Sequence, residues 1–117
     1  YSVLSPEVLS RHDGKAIAQR NTSLIKRLLK SDAVIIAGQA ASHCVASSVQ
    51  DLLDDILAQD PSLAKKCHIL TDCMSSVVTP VRDYTPETEA ALARFAGAGM
   101  QLHKSTDPLE SWEGIRV

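Results

Sequence analysis

Three short runs, "AVIIA" at 33–37, "CHILTD" at 67–72 and "MQLHKS" at 100–105, are separated by segments whose apolar residues recur at helical period. This alternation constrains the fold more than any other feature of the chain. Continuous apolar runs, as opposed to strictly alternating ones, suit strands of a parallel sheet covered on both faces. Helix, strand, helix, strand, helix, strand in that order, with short connections, predicts right-handed βαβ units and a parallel sheet with helices on both faces.

The helical segments carry their own signals. Asn21 or Thr22 is placed to cap a helix running to about Lys30, with Leu24, Ile25, Leu28 and Leu29 on one stripe. A second helix is expected from about His43 to Ala58, with Val45, Val49, Leu52, Leu53, Ile56 and Leu57 inward and Asp51, Asp54 and Asp55 on a solvated face. "QDPSLAKK" reads as a turn and "CMSSVVTPVRDY" as a longer loop. Thr85-Pro86-Glu87 offers an N-cap, a first-turn proline and an early acid, and the helix it starts carries Ala91, Leu92 and Phe95 inward. Gly97 or Gly99 is the expected glycine C-cap, and the tail "TDPLESWEGIRV" reads as irregular.

A chain of 117 residues holds one domain at most, and three strands are few for a doubly wound sheet. The expectation is therefore a single partial α/β domain over 1–117. Its opening at Tyr1, without an initiator methionine, adds the expectation of a processed piece. Twelve basic and fourteen acidic side chains give a net charge of −2 with no basic stripe, which argues against a nucleic-acid partner. The apolar runs fall far short of the roughly 20 residues that cross a bilayer, and no signal peptide is visible. Cys44, Cys67 and Cys73 form an odd set without CxxC spacing, unlike a disulfide framework or a zinc site. A reduced, cytoplasmic setting fits that set, with Cys67 and Cys73 as small buried hydrophobes.

Cys44 stands apart from the other two. In open parallel sheets, ligands bind beyond the carboxyl ends of strands, and Cys44 lies there, six residues past Gly38 in the first turn of the expected helix. A thiol in that position feels the positive end of the helix dipole and unpaired backbone N–H groups. The same N–H groups can stabilise a negative oxygen on a substrate carbonyl, so one turn can supply both nucleophile and oxyanion hole. Gly38, Ala40, Ala41 and Ser42 are small enough for a ligand to approach the backbone. The plainer reading, equally open on chemistry alone, is a cysteine packed beneath its own helix.

The stretch Val34-Ile35-Ile36-Ala37-Gly38, Gln39-Ala40-Ala41-Ser42-His43, Cys44-Val45 resembles the nucleophile segment of the isochorismatase-like cysteine hydrolases, a superfamily that includes nicotinamidases and N-carbamoyl amidohydrolases. "LTDCMSS", with Asp72, resembles that family's following strand, and "ETEAALARFAGAGMQLHKS" its last helix and strand. The likeness covers roughly residues 20 to 106. It implies the C-terminal half of a three-layer α/β/α, Rossmann-like fold, with about three strands and three helices present. It further implies that Cys44 forms a thioester with a small amide substrate, releasing the nitrogen by C–N hydrolysis. The Gln39–Ala40 peptide bond would be cis, and the N–H groups of Ala40 and Cys44 would form the oxyanion hole.

The same likeness implies a supporting role for His43, about 100° around the helix from Cys44, and a structural or pocket-edge role for Asp72. Tyr84 is a surface-packing residue or a pocket edge. The family's base, an aspartate, and its lysine have no counterpart here: Lys15, Lys26 and Lys30 do not end strands, and His12 and Asp13 sit in a polar turn. Both groups are expected upstream, as is any divalent metal of the nicotinamidase type (zinc), leaving no cofactor in this chain. The implied partners are a small amide and the N-terminal half, and the exposed apolar edge of a half-sheet suggests a homo-oligomer. The competing expectation is a non-catalytic binding or assembly module of the same fold, with Cys44 an ordinary or redox-sensing thiol.

Overall fold

The computed structural model describes residues 2–4 and 22–112. Within them the chain forms helix α1 (Thr22–Lys30), strand β1 (Val34–Ile36), helix α2 (Cys44–Gln59), strand β2 (Cys67–Leu70), helix α3 (Thr85–Gly97) and strand β3 (Gln101–His103). Short 3-10 turns occupy Pro61–Lys66, Thr71–Cys73 and Leu109–Ser111. The architecture is mixed α/β around a three-stranded parallel sheet in the order β1-β2-β3. Val34 pairs with Cys67 and Ile36 with Ile69, and Ile69 in turn pairs with Leu102.

Side-chain alternation along a strand separates the sheet into two rows. One row carries Val34, Cys67 and Ile69, all buried, and joins Ile25 and Leu29 of α1, Val49, Leu52 and Ile56 of α2, and Phe95 of α3 in one core. Each fully buried aliphatic or aromatic side chain contributes about 1.5–3 kcal/mol. The other row carries Ile35, His68, Gln101 and His103. Ile35 is 51% exposed there, whereas His68 is covered by the ring of Trp112.

Several local details differ from the sequence expectation. Leu57 is 51% exposed and does not join the inward face of α2. At 100° per residue, Val45, Val49, Leu52, Leu53 and Ile56 span a compact arc, and Leu57 falls on its shoulder. Asp54 is exposed while Asp51 and Asp55 are half-buried. "PSLAKK" is a 3-10 helix and not a plain turn, because the Asp60 carboxylate accepts from the Ser62 N–H at 3.1 Å and its hydroxyl at 2.8 Å. Thr85 lies inside α3 and is not its cap: the Asp83 carboxylate takes the Thr85 N–H at 2.8 Å instead. Thr22 begins α1, and Asn21 lies outside the described residues, as do His12, Asp13 and Lys15.

The end of α3 shows why a glycine belongs there. The N–H groups of Gly99 and Met100 return to the carbonyls of Ala96 and Phe95, both at 3.1 Å, a closing pattern that needs a left-handed residue. Gly99 supplies it with φ +110°. Among the described residues, no helix is long and apolar enough to cross a membrane.

Candidate active site

β1 ends at Ile36, and the chain reverses through Ala37–His43 before α2 begins at Cys44. The reversal uses Gly38 at φ +129°, a conformation that side chains oppose. The Gln39–Ala40 peptide bond is cis, at the position the family resemblance implies.

This turn is fastened along its length to the loop after β2. Gly38 N–H donates to the Cys73 carbonyl at 3.1 Å and Ala41 N–H to the Ser75 carbonyl at 2.8 Å. The Gln39 side-chain oxygen accepts from the Ser75 hydroxyl at 2.8 Å and its N–H at 3.3 Å. Val77 N–H donates to Ser42 Oγ at 3.0 Å. The loop is tied in turn to α3 by the Ser76–Thr88 hydroxyl contact at 2.6 Å. Serine hydroxyls, the Gln39 amide and main-chain groups thus fasten the turn, with no charged side chain among the described partners.

The start of α2 leaves donors open. Its N-cap residue, His43, makes no side-chain cap, and no acidic residue stands in the first turn. The Ala40 carbonyl accepts from His43 N–H at 3.1 Å and Val45 N–H at 3.0 Å. Among the described residues, the N–H groups of Ala40 and Cys44 themselves have no hydrogen-bond partner. The Cys44 side chain is exposed. It lines a cavity of about 610 Å³ together with Gly38 and Gln39 from the turn, Val34–Ile36 from β1, and Leu24 and Leu28 from α1. No Asp, Glu, Lys, Arg or His is among the described residues that line it.

His43 faces other partners. Its Nδ1 lies 2.8 Å from Ser42 Oγ, and its ring meets Tyr84 edge-on at 4.7 Å between centroids. Tyr84 is half-buried in that contact and lies under the Arg82 guanidinium at 4.4 Å, which also pairs with Glu87 at 2.7 Å. Asp72 holds the end of β3: its carboxylate accepts from the Ser105 hydroxyl at 2.7 Å and N–H at 2.9 Å, and these bonds lower its pKa. Cys67 is fully buried, and desolvation pushes its thiol up to about 11. Cys73 is half-buried beside Asp72, its Sγ 3.6 Å from the carboxylate. The two cysteines thus differ in burial more than the sequence suggests.

The structure brings Gln39 and Cys44 together at one cavity, which Ala40 does not line, and leaves Lys26 and Lys30 exposed on α1. Among the described residues no group of three or more His, Cys, Asp or Glu side chains could hold a metal ion. Sequence reasoning missed the Gln39–Ser75 latch, which depends on two loops meeting 36 residues apart. It also missed the His68–His103–Trp112 stack on the far row of the sheet. The polar residues at same-row positions of β2 and β3 were the available signal. Comparison with protein-family models, curated proteins and solved structures finds no match for this chain.

Proposed function

We propose that Cys44 is the nucleophile of a cysteine hydrolase of the isochorismatase-like kind, cleaving the C–N bond of a small amide. The observation that carries this reading is an exposed sulfur at a strand–turn–helix junction whose Ala40 and Cys44 N–H groups have no partners among the described residues. The aspartate base and the lysine, which no residue of this sequence matches, are supplied by a segment upstream of it that seats against the cavity beside β1. Joined to it, the sheet becomes the middle layer of a three-layer α/β/α fold.

The thiol gives its proton to the incoming carboxylate as sulfur attacks the carbonyl carbon. The resulting oxyanion is held by the N–H groups of Ala40 and Cys44. Collapse of the tetrahedral species breaks the C–N bond, and the amine leaves with the proton returned by the acid. Water, deprotonated by the same carboxylate, then cleaves the thioester and restores the thiol. One amide and one water thus yield one acid and one amine.

A binding or assembly module draws support from a different observation: among the described residues that line the cavity, apolar side chains predominate and no charged group or histidine stands beside Cys44. One experiment separates the two. The naturally occurring protein is incubated with a panel of small amides, quenched in acid and peptide-mapped. The hydrolase reading expects an acyl adduct on the Cys44 peptide and loss of turnover in Cys44→Ala. Undiminished turnover in Cys44→Ala, or no acylation with any amide, contradicts it.

A further inference from the structure

The far row of the sheet holds a second cluster of titratable groups that the proposed chemistry does not use. His68 of β2 is 1% exposed, and its Nδ1 lies 3.0 Å from His103 Nε2 of β3. Trp112 stacks on His103 at 4.2 Å with an interplanar angle of 8°, and on His68 at 5.4 Å. Every residue from Lys104 to Ser111 is exposed, and Trp112 is buried. Past Ser105, which the Asp72 carboxylate holds, the described segment to Trp112 is fixed to the sheet by one indole ring on two imidazoles.

The hydrogen-bond pattern assigns the protons. Gln101 donates its amide nitrogen to the Lys65 carbonyl at 2.8 Å, which turns its side-chain oxygen toward His103 Nε2 at 3.2 Å. An amide oxygen only accepts, so His103 Nε2 carries the hydrogen. His68 Nδ1 must then accept from it, which makes His68 a neutral imidazole in this arrangement. A proton added at Nδ1 of the buried His68 ring would point donor against donor. Trp112 Nε1 is also buried without a partner, and it regains water if the segment lifts.

We propose that His68, His103 and Trp112 form a pH-sensitive clasp, which holds the segment from Thr106 to Trp112 on the sheet in neutral solution and releases it in mildly acidic solution, while Asp72 keeps Ser105 in place. Burial, and then the charge of His103, lower the pKa of His68 in the closed form. The open form regains the ordinary imidazole value of about 6.5. A depressed histidine favours the closed form fully above that value, and the preference is lost as pH falls below it. One proton taken up on opening raises the open population by up to about tenfold per pH unit.

Other groups around the pair do not reproduce this effect. Ile35, Gln101 and Trp112 do not titrate, and the Cys67 thiol stays neutral. Among the described residues, the charged groups of the flanking segments are Lys65, Lys66, Asp72, Lys104, Asp107 and Glu110. Lys66 Nζ is turned to the Leu29 carbonyl, and Asp107 accepts from the Lys104 N–H. Asp72 is held below the usual carboxylate range by Ser105 and keeps its charge.

Trp112 is the single tryptophan of the chain, so its fluorescence reports the clasp without labelling. The test follows its emission wavelength and acrylamide quenching in the full chain from pH 8 to pH 5, beside far-UV circular dichroism. The clasp predicts a red shift and increased quenching below about pH 6.5, with secondary structure unchanged. His68→Phe keeps a ring for stacking and removes the proton site, and it should hold Trp112 buried to pH 5. Independently of that variant's folding, NMR titration of wild-type His68 should coincide with the fluorescence change. A flat wild-type profile, an unaltered transition in His68→Phe, or His68 titration without Trp112 exposure overturns the proposal.

Discussion

Ser42→Ala tests how the nucleophile turn is held. The Ser42 hydroxyl meets His43 Nδ1 at 2.8 Å and accepts the Val77 N–H at 3.0 Å, joining the turn, the start of α2 and the loop after β2. Each such bond contributes about 0.5–1.5 kcal/mol net, which gives about 1–3 kcal/mol for the pair. Both contacts are part-buried, so water recovers some of the loss and about 1–2 kcal/mol is expected. For a domain near this size that corresponds to a fall in Tm of about 4–10 °C. Urea unfolding followed by circular dichroism should show a lower midpoint with an unchanged m value. Ser75→Ala, whose hydroxyl bond to Gln39 is exposed, is the matched control and should lose less. A loss in Ser42→Ala within about 0.5 kcal/mol, the range of ordinary surface substitutions, would refute the claim that this hydroxyl holds the turn.

Three further outcomes follow from burial and charge. With its thiol pushed up to about 11, native Cys67 should resist iodoacetamide at pH 7.5, with a thiolate fraction about 300-fold below that of an ordinary thiol of pKa about 8.5; mass mapping checks this, and labelling of Cys67 as fast as Cys44 contradicts it. The depressed pKa of Asp72 gives stabilisation that is present above the unfolded value of about 3.9 and is lost as pH falls through the folded value. Hydrogen exchange at the Ser105 amide should therefore be steady from pH 5 to 8, after correction for intrinsic rates, and should accelerate in Asp72→Ala. Ile56→Ala should cost about 2–5 kcal/mol and Leu57→Gln no more than about 0.5 kcal/mol in chemical denaturation, because Ile56 is 0% and Leu57 51% exposed.

The parallel strands were legible because Val34–Ile36 and Cys67–Leu70 are apolar runs bounded by breakers, and their order fits one sheet. The turn before Cys44 was legible because Gly38 and three small residues sit between a strand pattern and a helix pattern. What stayed hidden depends on register and on side chains acting at a distance. The meeting of His68 with His103 follows from strand pairing, which places Leu70 beside His103 and His68 beside Gln101. No local pattern announces that Trp112 will close over them. Thr85 matched the composition of a cap, but its own N–H and hydroxyl donate to the Asp83 carboxylate and the helix begins at Thr85. Leu57 looked inward only because it adjoins Ile56 in sequence, and adjacency on a helix is a 100° rotation.

The account rests on the sulfur of Cys44 and the N–H groups of Ala40 and Cys44 serving one reacting carbon. A crystal structure of the protein treated with a small aldehyde, which adds reversibly to a thiol, measures that directly. The account predicts a thiohemiacetal on Cys44 with its oxygen about 2.7–3.1 Å from both main-chain nitrogens. An adduct oxygen turned to solvent and away from both nitrogens, or addition at Cys73 in place of Cys44, contradicts it.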